Sequence, residues 1–128
     1  MSAGQTTPSM RIATVCLDCD DADAMADFYG QLLGWPVTRR EPRWVLMRDP
    51  RGATGLSFQA EPDYRAPVWP EQSAGQDKML HLDVVVEDFD AAQDHALACG
   101  ARLAEYQPQP NVRVLFDPAG HPFCLFLA

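Results

Sequence analysis

The stretch KMLHLDVVVEDFD, residues 78–90, sets a histidine and an aspartate two positions apart at the head of an apolar run. In a strand, His81, Asp83 and Val85 share one face, while Leu82, Val84 and Val86 share the other. An imidazole beside a carboxylate can move a proton, touch a polar ligand or hold a metal ion, and it can equally be a polar pair lining a cavity. Near the C-terminus Cys124 adds a soft donor. Residues 16–19, CLDC, place two cysteines at the spacing of redox and zinc motifs. In an alternating strand, however, Cys16 faces a cleft and Cys19 a helix, so the pair is not expected to share a metal or a disulfide. His121 follows a turn and His95 sits among polar helix residues; neither is assigned chemistry.

These groups must be positioned by the elements around them, and the 128 residues fit one compact domain with 47% hydrophobic content for its core. The formal net charge is −8. With no Lys/Arg run to neutralise phosphates, nucleic acid is not an expected partner. No apolar run reaches the length a bilayer requires, so no membrane association is expected either. The opening MSAGQTTPSM lacks the basic and apolar regions of a signal peptide and reads as a disordered leader over 1–10. Free thiols and a cytoplasmic location are the expectation for the four cysteines.

The chain is written twice. TVCLDCDDADAMADFYGQLLG (14–34) and HLDVVVEDFDAAQDHALACG (81–100) each run strand, acidic pair, helix, glycine. WVLMRDPRGATGLSF (44–58) then parallels VRVLFDPAGHPFCLF (112–126). Met25, Phe28, Tyr29, Leu32 and Leu33 form the buried stripe of the first helix, with Asp20 or Asp21 as cap and Gly34 as stop. The second helix has a weaker stripe, Phe89, Ala92, Ala96 and Leu97, with Asp88 as cap and Gly100 as stop. Three short strands follow each helix, near 36–41, 43–48 and 54–60, then 101–106, 112–116 and 122–127. Each half is therefore β-α-β-β-β, an α+β fold of two tandem modules, 11–60 and 79–128. The Pro-rich stretch 61–78 links them. One helix covers one face of each four-stranded unit, so two such units curling together predict a cleft between their bare faces.

With these features the chain resembles the vicinal oxygen chelate superfamily, and within it the glyoxalase-like and bleomycin-resistance group. The resemblance spans about Ile12 to Ala128 and rests on FYGQLLGW (28–35), LHLDVVVEDFDAA (80–92) and DPAGHPFCLF (117–126). It implies a cleft between paired βαβββ modules and a homodimer. Metal-dependent members place ligands on the first and last strands of each module, which here become Thr14, Leu56, His81 and Cys124. Leu56 has no donor and Thr14 is a poor one, so no metal and no cofactor are expected.

Alternation from the final turn of each half places Leu56 and Phe58, and likewise Cys124 and Phe126, on the cleft face. The expected ligand-binding set is Thr14, Cys16, Trp44, Leu56, Phe58, Trp69, His81, Asp83, Cys124 and Phe126, with no catalytic residue assigned. Aromatic walls suit flat or apolar small molecules. Trp69, among prolines in the linker, either covers the cleft mouth or meets a second subunit. The expected activity is metal-independent sequestration of an aromatic or amphipathic compound. The rival is a metal-dependent enzyme of the superfamily using His81: a glyoxalase-type lyase, an extradiol dioxygenase or an isomerase.

Overall fold

A computed structural model describes residues 7–127. Residues 1–6 of the expected leader lie outside that span. The order is β1 (Thr14–Cys19), α1 (Ala22–Leu33), β2 (Val37–Glu41), β3 (Trp44–Met47), β4 (Gly55–Ala60), then β5 (Leu82–Val86), α2 (Phe89–Cys99), β6 (Arg102–Leu103), β7 (Val112–Phe116) and β8 (Pro122–Leu127). The strands form two four-stranded sheets, β1-β4-β3-β2 and β5-β8-β7-β6. In each, the first and last strands pair in parallel and the others are antiparallel. The two expected βαβββ modules are present.

Local chemistry sets the helix ends. The Asp21 carboxylate accepts from the Ala24 amide and the Asp88 carboxylate from the Ala91 amide, both at 3.0 Å. Gly34 and Gly100 end the helices in left-handed backbone, at φ 73° and 115°. The two stripes differ in depth. On α1, Ala22, Met25, Ala26, Phe28 and Tyr29 are buried, whereas on α2 only Ala96 is. Leu97, expected in the α2 stripe, is 39% exposed. The small side chains of α2 cover a sheet margin and leave this larger residue outside.

The core forms where both sheets turn one face toward α1. Tyr29 stacks on Phe58 of β4, with centroids 5.5 Å apart, and meets Phe123 of β8 edge-on at 6.3 Å. Phe28 lies edge-on to the same Phe123 at 5.9 Å. Aromatic contacts of this kind add about 0.5–1.5 kcal/mol each beyond the area they bury. One helix therefore joins the two sheets.

A buried hydrogen bond locks that junction. The Tyr29 hydroxyl donates to Asp117 Oδ2 at 2.7 Å, while Asp117 Oδ1 accepts from the amides of Ala119 and His121. Asp117, in the turn before β8, is only 2% exposed, and every oxygen it offers is used. Beside it, Tyr64 of the linker donates to Ala119 O at 2.8 Å, and His121 Nε2 donates to Asp18 O of β1 at 2.6 Å. His95 Nε2 donates to the carbonyls of Gln31 and Leu32, the open end of α1. The two histidines without assigned chemistry thus fasten one half to the other.

Two expectations follow. Tyr29→Phe leaves a buried carboxylate oxygen without its donor, and should lower stability by about 1–3 kcal/mol in urea denaturation. Burial pushes the Asp117 carboxyl above the ordinary 3.8, against the lowering influence of the Tyr29 hydroxyl, so the folded state holds this proton more tightly than the unfolded chain does. As pH rises from about 3.8 through the raised folded value, wild type should lose stability relative to Asp117→Asn, measured by denaturation at stepped pH. A pH-independent difference would contradict this.

Candidate functional site

The face of each sheet turned away from the helices carries the polar and ionisable groups, and register decides which. On the first sheet Cys16 stands opposite Ser57, and Leu17 opposite Phe58. The outward set is therefore Thr14, Cys16, Asp18, Ser57 and Gln59, joined by Trp44, which faces Gln59. Leu56 and Phe58, expected on the cleft side, lie instead on the α1 side: Phe58 is fully buried against Tyr29 and Leu56 is 6% exposed. The cause is one residue. Asp49 precedes Gly55, the start of β4, by six positions, while Asp117 precedes Pro122, the start of β8, by five. A one-position slip exchanges the faces of an entire strand. Ser57, missed by the sequence reading, takes the place given to Leu56. Its signal was present in the longer DPRGAT turn.

On the second sheet Asp83 stands opposite Cys124 and Val85 opposite Phe126. His81, two residues before Asp83, joins them. His81 Nδ1 lies 3.2 Å from Asp83 Oδ1, and one donor atom from each of His81, Asp83 and Cys124 lies within 4.8 Å of the others. Burial pushes the Cys124 thiol up from 9.0, and the nearby Asp83 carboxylate adds to the rise, while Lys78 opposes it. Phe116 and Phe126 share this outer face by register with β8 and β7. Trp69 closes over its edge, with its ring 5.7 Å from Tyr106 and 6.3 Å from Phe116. The Arg102 guanidinium lies over Phe116, 5.1 Å from its centroid.

The ten expected binding residues thus separate into three groups. His81, Asp83, Cys124 and Phe126 come together on the outer face of the second sheet, with Trp69 near its β6–β7 edge. Thr14, Cys16 and Trp44 occupy the outer face of the first. Leu56 and Phe58 belong to the core. A groove of about 600 Å³ runs between β1, the linker and the approach to β5, lined among others by Cys16, Asp18, Tyr64, Asp77, Leu80 and His121. It touches only Cys16 of the expected set. His81, Asp83 and Cys124 do not line that groove, and the His81 and Asp83 side chains are 41% and 55% exposed on the sheet face.

Each sheet belongs to one βαβββ module with its more polar face turned from its helix, and the two modules share one core. This is the architecture of the vicinal oxygen chelate superfamily. The glyoxalase-like domain family model matches residues 14–126, and the chain belongs to that family. Among solved structures, it resembles a glyoxalase/bleomycin resistance protein/dioxygenase family enzyme from Burkholderia phytofirmans PsJN, with TM-score 0.68, 18% identity, and coverage of 90% of this chain and 96% of that one. A lactoylglutathione lyase from Agrobacterium tumefaciens matches with TM-score 0.62 and 19% identity over 95% and 96% of the two chains. An antibiotic-binding protein from Streptomyces sp. CB03234 matches with TM-score 0.64 and 17% identity over 95% and 98%. No curated protein matches the chain.

A superfamily metal would draw on the first and last strands of both modules, here Thr14, Ser57, His81 and Cys124. The first pair does not fit that role. Ser57 is fully buried, and Thr14 Oγ1 donates to its hydroxyl at 3.1 Å, so the two satisfy each other. Hydroxyls so placed are weak donors for a hard cation that wants several oxygen or imidazole ligands. The four-ligand centre shared between modules is not built here.

The charge on Asp83 has a measurable effect on its neighbour. In chelator-containing buffer, Asp83→Asn should alkylate at Cys124 a few-fold faster than wild type, because removing the carboxylate charge favours the thiolate. Peptide mass mapping of the alkylated cysteines reads this directly, and an unchanged rate would count against the contact.

Proposed function

We propose that the chain binds an aromatic or amphipathic small molecule on the outer face of the second sheet and sequesters it, without the superfamily's shared metal centre. The observation that carries this reading is the aromatic cluster of Phe116, Trp69 and Tyr106, with Phe126 four residues further along the same outer face, which the core does not use. Flat apolar rings would lie against it, and the His81–Asp83 pair at its side would take up a polar or cationic substituent. The net charge of −8 favours a cationic guest over an anionic one.

In this reading the protein works in the cytoplasm as a homodimer. Val85, beside Phe126, and Tyr106, beside Trp69, are 56% and 54% exposed, and a second copy would cover them while completing the pocket. Among the described residues no helix is long and apolar enough to cross a membrane. The second reading is an enzyme, a lyase, dioxygenase or isomerase of the superfamily. It draws support from the 3.2 Å contact between His81 and Asp83, which suits proton transfer at His81.

Tryptophan emission, titrated against a panel of cationic aromatic antibiotics, separates these readings. At least one compound should change the emission saturably in wild type, and Trp69→Phe should lose most of that change. Phe116→Ala removes the ring that Trp69 meets and should weaken binding by about 1.5–3 kcal/mol, the worth of one large buried apolar side chain. A panel without any response, or undiminished affinity in Phe116→Ala, would refute the binding reading. Turnover of a substrate, abolished in His81→Ala, would establish the enzyme instead.

A further inference from the structure

We propose that His81, Asp83 and Cys124 form a binding site for a borderline, thiol-seeking divalent cation of the zinc type, built on the second sheet alone. The three side chains are set by backbone register. Asp83 and Cys124 are direct partners across the β5–β8 pair, and His81 precedes Asp83 by two residues on the same face. One donor atom from each already lies within 4.8 Å of the others. Tetrahedral zinc, with bonds of about 2.0–2.3 Å, needs donors about 3.3–3.8 Å apart. The His81–Asp83 edge, at 3.2 Å, is close to that spacing, and both side chains are exposed enough, at 41% and 55%, to rotate the small remainder.

The donor types select the ion. A thiolate and an imidazole favour zinc-like or softer metals, and a single carboxylate offers too few oxygens to compete for calcium or magnesium. An ionised Cys124 would stand beside Asp83 with two negative groups converging on one point, and Lys78, the cation nearest in sequence, is paired with Glu71. A divalent ion would displace the thiol proton and neutralise both groups. Three protein donors on an open face leave a fourth position for water or an exogenous group, the arrangement of catalytic-type zinc sites.

This site differs from the superfamily's shared centre, since the first module contributes nothing to it and Asp83 supplies the third donor. It shares His81 and Asp83 with the small-molecule reading but does not depend on it, because the ion needs no organic guest and the aromatic cluster needs no ion.

The test uses untagged full-length protein, reduced and stripped with a chelator, then titrated with Co²⁺ and back-titrated with Zn²⁺. One equivalent of Co²⁺ should bind with a near-ultraviolet thiolate-to-cobalt charge-transfer band, which Zn²⁺ abolishes by displacement. Cys124→Ser should lose the band. His81→Ala and Asp83→Asn should each weaken uptake by about ten-fold or more, the least expected for a metal-site partner. A measurement on wild type alone guards against misfolded variants: Zn²⁺ should protect Cys124 from alkylation while leaving the exposed Cys16 reactive. Cobalt uptake without a thiolate band, uptake unchanged in Cys124→Ser, or equal alkylation of Cys124 with and without Zn²⁺ would each overturn the proposal. None of these outcomes depends on whether an aromatic compound binds.

Discussion

The structure depends on a single helix serving two sheets. Phe28 and Tyr29 of α1 fill the space between Phe58 of one sheet and Phe123 of the other, and the Tyr29 hydroxyl reaches Asp117, 88 residues further on. Each large aromatic buried this way contributes about 1.5–3 kcal/mol by area. Both sheets bury their apolar faces in one continuous core, so each module leans on the wedge it shares. The polar anchor adds direction to an otherwise non-directional contact. A phenol can reach one carboxylate only in one arrangement of the two halves, and that arrangement fixes where the outer faces point.

The second helix plays a smaller part. With one fully buried residue it cannot organise the core, and its contribution is better seen in His95, whose ring satisfies the carbonyl end of α1. The linker is similarly tied in place by Tyr64 at the Asp117 turn and by Trp69 at the β6–β7 edge. Both modules therefore converge on the turn that precedes β8.

Much of this was legible in the sequence, because it is local. The aspartate caps, the glycine stops, the α1 stripe and the doubled order of elements all depend on residues within a few positions of one another. The opposite facings of Cys16 and Cys19, exposed and buried, also follow from alternation alone. Two features were out of reach for different reasons. The partner of Tyr29 lies in the other module, and helical periodicity shows that a side chain is buried without showing what its hydroxyl meets. Counting alternation from each turn as though the two were equally long gives the wrong facing for β4, because the turn before it is one residue longer than the turn before β8. One extra residue there sends Leu56 and Phe58 to the core and brings Ser57 outward. The same counting in the second module met no extra residue, and Cys124 and Phe126 stand on the outer face together.

That extra residue has made the two halves unequal in kind. In the first, a threonine and a serine fill the positions nearest the strand pair and spend their hydrogen-bonding capacity on each other. In the second, an exposed imidazole and carboxylate and a half-buried thiol converge on one another. Duplication has thus kept one backbone plan while giving the matching strand positions of its two copies different chemistry: hydroxyls in the first, ionisable groups in the second.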